Sequence, residues 1–240
     1  MDLREKLIVA LDVSTAAAAR KVVTAVGDAA VTYKVGLQLY TAEGSRIVRE
    51  LISSGRQVFL DLKYHDIPNT VAAAVREAAG LGVGMLTVHA LGGPRMLRAA
   101  AEAASGVNPQ VKVVAVTVLT SMDEPELGQV GVQGGILSEV MRLGSLAAAE
   151  GCHGVVASAQ EASEVRRHFG ENFLIVTPGV RPEGFNHGDQ ARVVTPAQAI
   201  RAGASHIVVG RPIIEAIDPA QAAREILAQM VSESALSVSL

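Results

Sequence analysis

Short apolar runs rich in β-branched residues alternate with Ala-rich stretches of helical periodicity along the whole chain. The predicted strands are Leu7–Asp12, Val31–Val35, Gln57–Asp61, Met85–His89, Val111–Val118, Gly154–Ala157, Phe173–Thr177 and His206–Val209. The predicted helices are Ala16–Val26, Ala42–Ser53, Asn69–Leu81, Arg95–Ala104, Ser138–Glu150, Gln160–Phe169, Pro196–Ala202 and Pro219–Val231. Apolar runs without polar alternation suit parallel strands covered on both faces. Eight strands, each followed by a helix, predict an α/β fold of the single (β/α)8 TIM barrel type rather than an open doubly wound sheet. The length of 240 residues agrees, because such barrels typically need ~250.

Local signals support the same division. Ser14 and Asn69 are the predicted N-caps of their helices, and Pro196 follows Thr195 as a first-turn proline. Gly55, Gly151 and Gly203 fall between a helix and the next strand, where left-handed residues end helices. No Pro-, Ser- or Gly-rich linker splits the chain, so residues 1–240 read as one domain, with 232–240 a loosely held tail. Two connections exceed a short βα loop: Leu119 to about Leu137, and Pro178 to Thr195. Both follow strands, which places them at the C-terminal face of a barrel as candidate lids.

Composition narrows the function. Apolar residues make up 49% of the chain and charged residues 19%, with 3% aromatics and no Trp. The formal net charge of −3 and the scattered basic residues give no footprint for nucleic acid. The single Cys152 excludes an internal disulfide framework and a cysteine-based zinc site. Met1 to Lys6 is polar and is not a signal peptide, and no apolar stretch approaches the ~20 residues of a membrane span. These features predict a cytoplasmic protein that is neither membrane-bound nor nucleic-acid-binding.

The candidate chemistry lies at the strand ends. Asp12 ends the first strand, Lys34 lies inside the second, Asp61 ends the third with Lys63 and Asp66 close behind, and His89 ends the fourth. Thr120 and Ser121 follow the fifth, Arg181 follows the seventh, and Gly210-Arg211 ends the eighth. A closed barrel gathers these positions around one mouth. Asp12 taken alone fits a helix cap, and His89 fits a hydrogen-bonded rim histidine at least as well as a chemical role. Cys152 reads as inert. Lys34 is harder to dismiss, since a buried lysine is costly unless paired. Strand alternation puts Asp61 and Lys63 on one side, and two carboxylates around one ammonium hold it charged and oriented. The bland alternative is a weak surface ion pair. Against it, Pro68 stiffens the turn after Asp66. Gly210 lets an anion approach the backbone, and Arg211 supplies paired donors for phosphate.

These residues resemble one known family along nearly the whole chain. Leu7–Ser14 (LIVALDVS), Tyr33–Tyr40 (YKVGLQLY), Phe59–Val71 (FLDLKYHDIPNTV), Leu86–Gly93 (LTVHALGG), Val116–Ser121 (VTVLTS), Thr177–Gly184 (TPGVRPEG) and Ile207–Ile213 (IVVGRPI) are similar to the orotidine 5′-phosphate decarboxylase family. The D-x-K-x-x-D run alone also occurs in Mg2+-dependent hexulose-phosphate synthases and keto-gulonate-phosphate decarboxylases. The I-P-N-T that follows is the more specific mark. The resemblance implies decarboxylation of orotidine monophosphate (OMP) to UMP and CO2 without cofactor or metal, with Lys63 as proton donor to C6. It implies that Asp61 and Asp66 flank Lys63, and that Asp12 and Lys34 bind the ribose hydroxyls, with Lys34 also joining the catalytic charged network. Thr120 and Ser121 would contact the pyrimidine, Gln190 would bridge base and phosphate, and Arg181, Gly210 and Arg211 would grip the phosphate. It further implies a homodimer in which Asp66 and Thr70 serve the partner's site. A catalytically silent phosphate-ligand sensor on the same fold is the reading from another class, and Lys63 between carboxylates argues against it.

Overall fold

The computed structural model describes residues 2–182 and 194–231. Its strands are β1 (Leu7–Ala10), β2 (Thr32–Gly36), β3 (Gln57–Tyr64), β4 (Met85–His89), β5 (Lys112–Val116), β6 (Gly154–Val156), β7 (Leu174–Thr177) and β8 (His206–Val209). All pair in parallel, in sequence order, and β1 also pairs with β8, closing the barrel. All eight predicted strands are present. Asp12 lies beyond the end of β1, while β3 runs three residues past its predicted end at Asp61.

The strand register separates two cores. Ile8, Ala10, Phe59, Met85, Val114, Val176 and Val208 form a small cluster drawn from strands alone, the filled interior of the barrel. The alternate strand residues, such as Val9, Tyr33, Val35, Leu60, Leu86 and Val88, pack outward against the helices in a much larger cluster. Burial on both faces explains why the strands read as continuous apolar runs. Small residues permit close approach. A Cβ on Gly154 would sit 2.1 Å from the carbonyl oxygen of Leu174, so β6 and β7 can meet only with glycine there.

The helices follow the predicted periodicity, with differences at their ends. The predicted helix Ala42–Ser53 is two helices, Leu37–Glu43 and Ser45–Ser53, broken at Gly44, whose φ is +63°. Thr15, not Ser14, caps Ala16–Val26 by accepting from the amide of Ala18. Asn69 is not a cap, because Pro68 opens the helix Pro68–Gly80 and Ile67 holds the N-cap position. Thr195 caps Pro196–Arg201 through a reciprocal pair with Gln198, as its sequence suggests. Gly55, Gly151 and Gly203 all have φ between +80° and +98°. The long connection after β5 is not structureless. It contains the helix Glu124–Gln129, capped reciprocally by Asp123 and Glu126. Short helices at Leu3–Lys6 and Arg211–Ile214 are among the further elements that periodicity missed, being too brief to show a period. The tail 232–240 and Gln190 lie outside the described residues.

Candidate active site

The barrel interior is apolar at mid-height and charged at its C-terminal end. A cavity of about 480 Å³ opens there. Ala10, Phe59, Val116, Val156, Val176 and Val208 form its floor, each from a different strand. Above them stand Asp12, Lys34, Asp61 and Lys63, with Arg181, Gly210 and Arg211 at the same mouth. Counting Glu215, four cations face three carboxylates around the cavity, an excess of one positive charge that favours an anionic occupant.

Lys34 points inward because Thr32 and Lys34 alternate with Tyr33 and Val35, which belong to the outer core. Its ammonium lies 2.9 Å from Asp12 Oδ1 and 3.7 Å from Asp61 Oδ2, with only 12% of the side chain exposed. Asp61 Oδ1 in turn accepts from Lys63 Nζ at 2.9 Å. Asp12, Lys34, Asp61 and Lys63 thus form a row of alternating charge. Removing one member of such a partly buried row leaves another uncompensated, which is strongly unfavourable. Asp12 is part of this row rather than the helix cap that it resembles in isolation. Gly36 makes room for it: a Cβ at that position would lie 2.7 Å from Lys34 Nζ.

Lys63 reaches the row by an irregular backbone. Its φ is +52°, the left-handed region, and no other non-glycine among the described residues shares it. The β3–β4 register shifts at the same place, from Leu60 opposite Leu86 to Tyr64 opposite Val88. Asp61 and Lys63 do share a side, but through a bulge rather than regular alternation. Strained backbone of this kind clusters at functional sites.

Thr87 is a site residue that sequence reasoning missed. It sits fully buried on β4, donates to Asp61 Oδ1 at 3.1 Å, and accepts from the backbone amide of Lys63 at 2.8 Å. Its signal was faint, a single hydroxyl inside the apolar run Met85-Leu86-Thr87-Val88.

Other predicted residues divide. Thr120 lines the cavity, whereas Ser121 is exposed and does not. Asp66 and Thr70 are exposed and lie outside the cavity, so within this chain Asp61 but not Asp66 lines the cavity with Lys63. Asp66 Oδ1 accepts from the amide of Ile67 at 2.6 Å, which fixes the turn. Arg181 is buried, and its backbone amide donates to Val194 O at 2.9 Å. His89 also belongs to the rim. Its Nδ1 accepts from the amide of Leu91 at 3.3 Å, and its ring stacks on His65 at 5.3 Å. Burial, with His65 and Lys63 nearby, pushes its pKa down to about 4, so it stays neutral near pH 7. The Cys152 thiol is buried and pushed up to about 12 by that burial, which makes it a poor nucleophile. Among the described residues, no group of three or more His, Cys, Asp or Glu side chains is placed to hold a metal ion. Nor is any described helix long and apolar enough to cross a membrane.

Fold and site together define a β/α-barrel enzyme with a charged mouth. Residues 5–226 match the family described as orotidine 5′-phosphate decarboxylase / HUMPS. A protein of Halorhodospira halophila named orotidine 5′-phosphate decarboxylase is 50% identical over 227 residues, 95% of this chain and 96% of its own length. One of the same name from Anaeromyxobacter dehalogenans is 52% identical over 224 residues, 93% of this chain and 97% of its own. The crystal structure of orotidine 5′-phosphate decarboxylase from Lactobacillus acidophilus superposes with a TM-score of 0.85 at 35% identity, covering 95% of this chain and all of that one. The chain therefore belongs to the orotidine 5′-phosphate decarboxylase / HUMPS family, and it is a carboxy-lyase.

Proposed function

We propose that this chain converts OMP to UMP and CO2 without a cofactor, with Lys63 delivering a proton to C6 of the pyrimidine. The observation that carries the proposal is the charge row Asp12–Lys34–Asp61–Lys63, set in one cavity with Arg181 and Arg211. The substrate phosphate would lie against Arg181, Gly210 and Arg211, with Gln190 joining base and phosphate. Asp12 and Lys34 would take the ribose hydroxyls, and Thr120 and Ser121 the pyrimidine. The reacting carboxylate would then stand near Asp61, whose negative charge disfavours the bound acid relative to the product state. As the C6–carboxylate bond breaks, the electron pair stays on C6. The Lys63 ammonium stabilises that charge and passes a proton to it, leaving a neutral amine that solvent reprotonates. Binding energy from the remote phosphate orders the site around the reacting atoms.

Asp66 and Thr70 complete a second copy's site in this proposal, so that the working unit is a homodimer. Leu37, Ile67 and Leu91 support it. They are 57%, 67% and 50% exposed, and they follow the ends of the neighbouring strands β2, β3 and β4, beside Asp66. Exposed apolar residues gathered at one place mark an association surface.

The test is the loss of OMP absorbance on adding enzyme in the presence of EDTA. Turnover is expected, and Lys63→Ala should lower kcat by at least about 10³-fold, since it removes both proton donor and charge stabilisation. Near-normal turnover by the variant would overturn the role of Lys63. Activity abolished by EDTA and restored by Mg2+ would instead indicate the metal-dependent branch of the family. UMP binding without OMP turnover would indicate a sensor.

A further inference from the structure

We infer that Thr87 is a positioning residue for the reaction: its hydroxyl holds the Lys63 backbone and the Asp61 carboxylate in one fixed geometry. The inference rests on the proposed roles of Lys63 and Asp61. Three hydrogen bonds form a closed triangle. The Lys63 amide donates to Thr87 Oγ1 at 2.8 Å, Thr87 Oγ1 donates to Asp61 Oδ1 at 3.1 Å, and Lys63 Nζ donates to the same Oδ1 at 2.9 Å. A hydroxyl has one proton to give and lone pairs to accept, so a single Thr87 rotamer satisfies both partners at once. The Lys63 amide needs such a partner, because the register shift between Leu60 and Tyr64 removes it from the regular β3–β4 ladder. The left-handed φ of +52° is unfavourable for lysine, and persists only where surroundings over-determine it. Thr87, with no solvent exposure and flanked by the outward-packed Leu86 and Val88, is the anchor on the neighbouring strand.

Thr87 lies outside the residues lining the cavity, and it acts on a ligand only through Lys63 and Asp61. Its loss should therefore move the reacting groups without touching Arg181 or Arg211. The experiment measures kcat and KM for OMP, UMP affinity and thermal stability in Thr87→Val, Thr87→Ala and Thr87→Ser. Valine keeps the shape, and alanine and serine differ only by the hydroxyl. Valine and alanine are expected to lower kcat on the order of 10²-fold, the scale of an ångström-level misplacement. KM and UMP affinity should stay within about 3-fold, because uniform binding is retained. Serine should keep kcat within about 5-fold of the wild-type chain. Valine and alanine variants with unchanged kcat would overturn the inference, as would a rise in KM at constant kcat. Serine failing as badly as alanine would also overturn it, since the hydroxyl would then not be the acting group. If valine disrupts folding, the serine–alanine pair still decides. A wild-type chain that does not turn over OMP overturns the proposed function and this inference together. Active wild type with active valine and alanine variants overturns this inference alone.

Discussion

At the scale of single residues, the site depends on what is small as much as on what is charged. Lys34 can bridge Asp12 and Asp61 only because position 36 has no side chain. Gly36 has a φ of −99°, which any residue adopts, so Gly36→Ala should not strain the backbone. The added methyl meets the tip of a flexible lysine, which can swing away at little cost. The expected outcome is a folded protein with a melting temperature within a few degrees of the wild type and kcat/KM reduced by about 10-fold or more. That range corresponds to a loss of 1.4 kcal/mol or more in transition-state binding. A variant with unaltered kcat/KM would show that Lys34 does not need its present position. Much of this residue-level picture is legible in the sequence. Asp12, Lys34, Asp61, Lys63, Thr120, Arg181, Gly210 and Arg211 converge as expected from their places at strand ends. Thr87 was not legible, because a threonine in an apolar strand also serves as ordinary β-forming filler. Nor was the function of Gly36, whose reason is a contact from its own strand two residues back.

At the scale of elements, legibility followed period and length. Long amphipathic helices such as Ala16–Val26 and Pro219–Val231 match their expected limits. The break at Gly44 was hidden because both halves of 37–53 keep helical composition. There a left-handed glycine, not a change in hydrophobic pattern, ends the first helix. The cap at Asn69 was misread because Pro68 occupies the first helical position, which shifts the boundary two residues upstream. The extension of β3 to Tyr64 had a deeper cause. A bulge carries the strand past its apolar segment into the charged run, and bulges leave no period in the sequence. That element-level irregularity is what lifts Lys63 to the rim.

At the scale of the whole molecule, two properties follow that no single element has. The first is the proposed assembly. If Asp66 serves the partner's site, mixing Asp66→Ala and Lys63→Ala chains should recover part of the lost activity, because a hybrid dimer carries one intact site. Hybrids shown to form but remaining inactive would end that reading. The second is response to acid. His206, 7% exposed, has its pKa pushed down to about 4 by burial, with Lys6 adding to the effect. The unfolded imidazole titrates near 6.5, so as pH falls the unfolded chain takes up the proton first. His206 thus costs nothing above pH 6.5 and withdraws stability progressively from there down to about pH 4. The loss is about 2 kcal/mol at pH 5. His206→Leu should flatten the fall in melting temperature between pH 7 and 5, and an unchanged slope would refute this account. The closed ring of strands gives that titration a wider meaning. While all eight strands are paired, the barrel presents no free β edge. The β7–β8 seam has two register pairs, Val176 with His206 and Thr177 with Ile207, and Ser205 bonds to Ile175 at its start. His206 shares the inward face of β8 with Val208, so charging it places a cation inside the barrel beside that seam. Opening it would create two raw edges at once, able to pair with those of other copies. Acid should therefore turn this protein from a discrete particle into an aggregate, visible as light scattering that His206→Leu delays to lower pH.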